Sequence, residues 1–190
     1  MSAFEHVTAL YSFVYALALT HLLVRIGELI VARERVRRSG LLFVGMANAI
    51  VIVFANWLSL WDLRSIKTWD LGSITIQFLF AVAVFLVCIF VTPRVPESGT
   101  IDLEESFWCQ RLAFYTTATA ITVLALVANF DYLKTATPAV FLKMNALVLL
   151  SLPATIIGLV SRKRPLQYVA GLGFLSLNVA YVLIFCRELS

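Results

Sequence analysis

His21, Arg25 and Glu28 stand four and three residues apart in an otherwise apolar stretch. At about 100° per residue in a helix they share a sector of roughly 60°. Ionisable groups are costly inside a bilayer, so such a set is a candidate functional site by default. Histidine titrates near neutral pH, and an arginine beside it can hold or exclude an anion, which together describe a proton or ion site. The structural alternative is an Arg25–Glu28 pair at i,i+3 that snorkels to the interface while His21 hydrogen-bonds a neighbouring helix. Tyr11, Val14 and Ala18 continue the same face, which is therefore expected to look into a bundle. Asn48 and Asn56 complete the candidate polar intramembrane site, as a pore or substrate lining or as packing glue between helices.

The elements that must carry these residues are membrane helices. The 190-residue chain is 61% hydrophobic and only 14% charged, with a mean hydropathy of +0.92, which is far from soluble usage. A helix needs roughly 20 apolar residues to cross a hydrocarbon core of about 30 Å with its backbone satisfied internally. Six such runs occur, at about 7–31, 41–63, 73–92, 112–130, 140–160 and 166–185. The expected fold class is an all-α integral membrane protein, one transmembrane domain over 1–190 built as a bundle of six transmembrane helices. The runs are continuous rather than alternating, which argues against a β-barrel. The first run is long for a signal-peptide core and is read as a retained helix. The short connections leave no room for a soluble catalytic or nucleic-acid-binding domain.

Lys and Arg concentrate in the first, third and fifth connections, in ARERVRRSG (32–40), between Arg94 and Arg111, and in SRKRP (161–165). The second and fourth connections and the tail hold only Arg64, Lys67, Lys134 and Arg187. The positive-inside rule then places the three odd connections in the cytoplasm and both termini outside. Trp57, Trp61 and Trp69 would mark the outer boundary. The net charge of +4 is spread over membrane flanks, so the expected partners are membrane lipids, and a homo-oligomer or larger membrane complex, with no nucleic acid. Cys88, Cys109 and Cys186 lack metal-ligand spacing and imply neither a disulfide frame nor a zinc site.

The other helices are less informative. Helix two carries Gly45, Asn48, Ala55, Ser59 and Asp62 on one stripe and is the expected partner of helix one. Helix four, with Tyr115, Ala118, Thr122, Ala125 and Asn129, is expected to be central, and helix three to face lipid over much of its circumference. Pro153 is expected to kink helix five. Asp102, three residues before Glu105, resembles a cap, so helix four should begin near Leu103 and run along the interface. The acidic residues there oppose the basic loops at 33–38 and 162–164, as a charge match between loops or a cation entry site. No internal repeat is evident.

Intramembrane catalysis finds no support in the motifs. Glu104 and Glu105 resemble the paired glutamates of CAAX-type membrane proteases, but Arg111 lies too far along and no second-motif histidine follows. RKRP (162–165) lacks the downstream residues of lipid phosphatases, and with His6 and His21 as the only histidines paired axial or di-metal ligands are not available. No catalytic residue, metal ligand or cofactor is identified, and the chain is not expected to be an enzyme. ALTHLL (18–23), ERVRRSG (34–40), NWLSLWDLR (56–64) and IDLEESFWCQRLAFY (101–115) together resemble a group of uncharacterised bacterial polytopic inner-membrane proteins. The resemblance covers the first two thirds and implies a bacterial inner membrane without an activity. The expected function is a small ion, proton or solute channel or transporter with its polar site on the first helix. The alternatives are an accessory or scaffold subunit of a larger membrane complex and a membrane sensor using His21.

Overall fold

A computed structural model describes residues 3–65, 69–132 and 137–185. Among them are seven α-helices: α1 Ala3–Val31, α2 Gly40–Ser59, α3 Leu71–Phe90, α4 Leu103–Tyr132, α5 Pro138–Met144, α6 Ala146–Val160 and α7 Arg164–Phe185. Single 3-10 turns follow α1 at Arg33–Arg35 and α2 at Asp62–Ser65. Five helices are long and apolar enough to cross a membrane, and the bent pair α5–α6 raises this to as many as six. The all-helical class follows from the length of the apolar runs, because a backbone in hydrocarbon has no solvent to bond to.

Local chemistry sets several helix starts. Asp70 accepts from the Ser73 amide at 2.8 Å and caps α3, and Thr137 caps α5 with Pro138 in its first turn. Asp102 Oδ1 accepts from the amides of Glu104 and Glu105 at 2.9 and 3.1 Å and opens α4 as the spacing suggested. Ser39 precedes α2 but does not cap it. Its hydroxyl instead donates to Glu104 Oε2 at 2.6 Å, tying the starts of α2 and α4 together. The same end carries an element that helical periodicity did not announce. Val36–Arg37 (β1) and Ile101–Asp102 (β2) form a two-residue parallel ladder, with Val36 beside Ile101 and Arg37 beside Asp102.

The helices close a ring in the order α1, α3, α4, α6, α7, α2 and back to α1, with α2 also touching α3 and α4. Ala18, Ala49, Ala81, Ala118 and Ala170 are completely buried. In lipid such small residues matter because close backbone approach, not the hydrophobic effect, drives helix association. Gly158 takes this furthest, since a Cβ there would collide with the Tyr115 ring.

Two expectations about packing change. The main neighbour of α1 is α3 rather than α2. The two helices run parallel and are tied along their length, Tyr11 donating to Ile74 O at 3.1 Å and His21 meeting Thr92 beyond the other end of α3. Helix α3 is held between α1 and α4 through fully buried Ala81, Val84, Val87 and Cys88, and with about a third of its span buried it still turns much of its circumference outward, as expected. Finally, the fifth apolar run breaks at Asn145, where α5 and α6 meet at 63°, while Pro153 lies inside α6. Helix α6 is already under way at Pro153, and the bend is held instead by tertiary bonds at Asn145.

Candidate functional site

His21 and Glu28 lie beside the buried stripe of α1 rather than on it, while Arg25 continues the stripe seven residues after Ala18. Val7, Tyr11, Tyr15, Ala18, Leu22 and Leu29 are the buried positions. His21 is one residue, about 100°, from Leu22, and Glu28 one residue from buried Leu29. The expectation of an inward face holds for Tyr11 and Ala18 and gives way at His21, Arg25 and Glu28, which are half-buried. His21 Nε2 sits 3.1 Å from Thr92 Oγ1. With its own proton given to the carbonyl of Cys88 or Ile89, that hydroxyl is left to accept, which suits the His21 tautomer carrying hydrogen on Nε2. Arg25 Nη1 donates to Glu28 Oε2 at 2.8 Å, with 33% and 39% of the two side chains exposed.

Asn48 and Asn56 do not join them. Asn48 is completely buried, and its Nδ2 donates to Val44 O of its own helix and to Gly171 O of α7, each at 2.9 Å. Asn56 donates to Ile52 O one turn back at 2.7 Å. The five candidates are therefore distributed over the α1–α3 and α2–α7 contacts and one helix surface. Among the described residues no three of His, Cys, Asp and Glu are placed to hold a metal ion. Lys67, Lys134, Cys186 and Arg187 lie outside the described residues, as does the side chain of Asp62. Trp57 and Trp61 are half exposed at the end of α2, and Trp69 packs against the core before α3.

The most heavily bonded group is one that periodicity passed over. Arg111, read as a flanking charge, is 4% exposed. Its Nη1 donates to the carbonyls of Gly158, Leu159 and Ser161 at 2.7, 2.9 and 2.9 Å. These are the terminal acceptors of α6, which lack partners within the helix and carry the negative end of its dipole. Gln167 of α7 is also fully buried and donates to Gly158 O at 2.9 Å and to Ser161 O. Arg111 and Gln167 thus knit α4, α6 and α7 at one level. At the far end of the same helix pair, Asn129 Nδ2 donates to Asn145 Oδ1 at 2.6 Å, and Asn145 Nδ2 donates to Phe141 O at 3.0 Å. Thr122 and Ser151 meet between these two levels, with their hydroxyl oxygens 3.4 Å apart.

Two buried amide oxygens, Asn48 Oδ1 and Gln167 Oε1, have no hydrogen-bond partner. Neither amide can be turned round, because each nitrogen already faces two carbonyls and exchange would set acceptor against acceptor. At the basic end, Glu104 accepts from Ser39 and from Trp108 Nε1, and Arg164 approaches it to 3.6 Å. Arg37 pairs with Asp102 at 3.0 Å. The amides of the first turn of α4, that of Glu105 foremost, hold the Asp102 carboxyl below its ordinary pKa, with Arg37 adding to the effect. Arg35 clasps the α3–α4 connection by donating to the carbonyls of Pro96, Glu97 and Gly99, and Gly99 takes the positive φ of 93° that this turn requires. These contacts make the acidic loop a bonded partner of the basic ones.

Comparison with protein-family models, with curated proteins and with solved structures finds no match for this chain.

Proposed function

We propose that this chain is a six-span membrane protein serving as an accessory or scaffold subunit of a larger membrane complex, docking through the outer face of α1. The observation that carries the proposal is the composition of that face. Ala9, Ala16, Thr20 and Gly27 follow one another at helical spacing on the side of α1 that is turned away from the ring, interleaved with exposed Phe13 and Leu23. A Cβ at Gly27 would meet nothing within 4 Å. A glycine inside a helix costs about 1 kcal/mol relative to alanine, and none of the described residues uses the room it leaves. A second membrane helix would use it, because small residues allow backbones to approach closely in lipid.

Six crossings are supported by the way α5–α6 lies along α4. The two ends of α6 are bonded to α4, Asn145 to Asn129 and Gly158 to Arg111, and these two α4 positions are separated by roughly 27 Å along a helix rising about 1.5 Å per residue. That distance approaches the thickness of a hydrocarbon core, about 30 Å. With the basic connections in the cytoplasm, both termini lie outside.

The test is to extract the protein from its native membrane in mild detergent and determine the composition of the particle. A complex of fixed stoichiometry that dissociates on Gly27→Leu, with the helical spectrum unchanged, is the expected result. A particle containing one copy of the 21.2 kDa chain and no other protein would end the proposal.

One observation favours a channel or transporter instead. The unpartnered oxygens of Asn48 and Gln167 are interior acceptors to which a polar solute or water could bond. Solute flux in vesicles that is lost in Asn48→Leu and Gln167→Leu, while the bundle remains folded, would establish it.

A further inference from the structure

A groove of about 440 Å3 opens beside the start of α4, lined by Trp108, Arg111, Leu112 and Arg162. Two guanidinium groups face it, and neither has a carboxylate partner among the described residues. Glu104, one helical turn before Trp108 on α4, is already engaged by Ser39, Trp108 and Arg164. Arg111 is held in position by its three carbonyl acceptors. Arg162 is exposed in the short connection between α6 and α7. The groove thus pairs a fixed cation with an adaptable one.

Its level in the bundle says which anion fits. Arg111 is the last charged residue of α4 before the apolar stretch that begins at Leu112, and Trp108 sits one turn towards the polar end, where indoles favour the headgroup region. Leu112 is 51% exposed, so one wall of the groove continues as apolar surface in the direction of the acyl chains. A soluble anion would find only the arginines complementary, whereas a phosphate ester with hydrocarbon attached matches both walls. Basic pockets between membrane helices bind acidic headgroups on this principle.

We propose that this groove binds the phosphate of an anionic phospholipid, with Arg162 closing on the phosphodiester, Arg111 supplying fixed positive charge, and Leu112 lying along the first methylenes. The site is independent of the α1 docking face, on the other side of the ring from α4 and α6.

The experiment is native mass spectrometry of the intact detergent-solubilised chain with added phosphatidylglycerol, phosphatidylcholine or inorganic phosphate, read beside thermal unfolding. The expected result is a single retained phosphatidylglycerol and a raised unfolding temperature, with phosphatidylcholine giving neither. Arg162→Gln should reduce the adduct roughly fivefold, whereas Arg33→Gln, which removes the same charge from the same end, should leave it in place. Equal loss from both variants would mean diffuse attraction and overturn the proposal, as would retention of phosphatidylcholine to the same extent. Equal protection by inorganic phosphate would identify a free anion as the occupant and overturn it as well. Arg162 is exposed and makes no hydrogen bond or ion pair that folding depends on among the described residues, and Arg162→Lys, which keeps the charge, should restore the adduct.

Discussion

Arg111 and Arg25 are both arginines in membrane helices, yet their surroundings give them different weight. Arg25 pairs along its own helix and is one third exposed, and such pairs contribute only about 0.2–0.5 kcal/mol. Arg111 is buried and satisfies three carbonyls at the end of another helix. Replacing it by methionine would leave those acceptors without their shared donor in a medium of low dielectric. Bonds to a charged group contribute about 1.5–3 kcal/mol, so Arg111→Met should lower the unfolding free energy by about 2 kcal/mol or more, measured by denaturant titration in detergent. Arg25→Met should change it by less than about 0.5 kcal/mol. Equal effects would show that the α6 terminus finds other donors. Neighbouring residues in the chain could not reveal this difference, because the partners of Arg111 lie 47 to 50 positions away.

At the scale of the element, the fifth apolar run shows how a local signal can point to the wrong residue. Proline removes one donor and strains the preceding turn, and Pro153 was the natural place to expect a kink. The helix continues through it, and its side chain is exposed on the outer surface of α6. Asn145 sits at the 63° break instead, its amide bonded to Phe141 O on one side and to Asn129 of α4 on the other. Pro153→Ala should therefore leave the bend unchanged, whereas Asn145→Leu should release α5. Spin labels at Val140 and Ile156, both exposed, would read this as a broadened and lengthened distance distribution in the second variant alone. A change confined to Pro153→Ala would return the bend to the proline.

For the whole molecule, the arrangement of the crossings is open to direct test. Single cysteines in a cysteine-free background at Arg33, Glu97 and Lys163 should react with an impermeant maleimide from one side of sealed vesicles. Cysteines at Asp70 and Thr137 should react from the other. Lys163→Cys labelled from the same side as Thr137→Cys would make α5–α6 a re-entrant loop and reduce the crossings to five. The bond from Arg111 to the end of α6 argues for the six-span outcome, since it holds that end at the level where the apolar stretch of α4 begins.

The amino-acid sequence by itself determined the class of structure. Long apolar runs can satisfy their backbones in lipid only as helices, and Asp102 and Pro138 mark helix starts through chemistry contained within a turn. Charge asymmetry between alternate connections likewise belongs to composition, and it supplied the expectation of which loops share a side. The partners of each polar residue were decided by the tertiary structure. On one helix His21 and Leu22 are about 100° apart, so a small rotation of α1 determines whether the histidine enters the core or stands at its edge. That rotation is set by Tyr11 and His21 reaching Ile74 and Thr92 on α3. Asn48 became a tie to α7 and Arg111 the cap of α6 for the same reason: a hydrogen bond across helices depends on register and rotation, which periodicity within one helix does not contain.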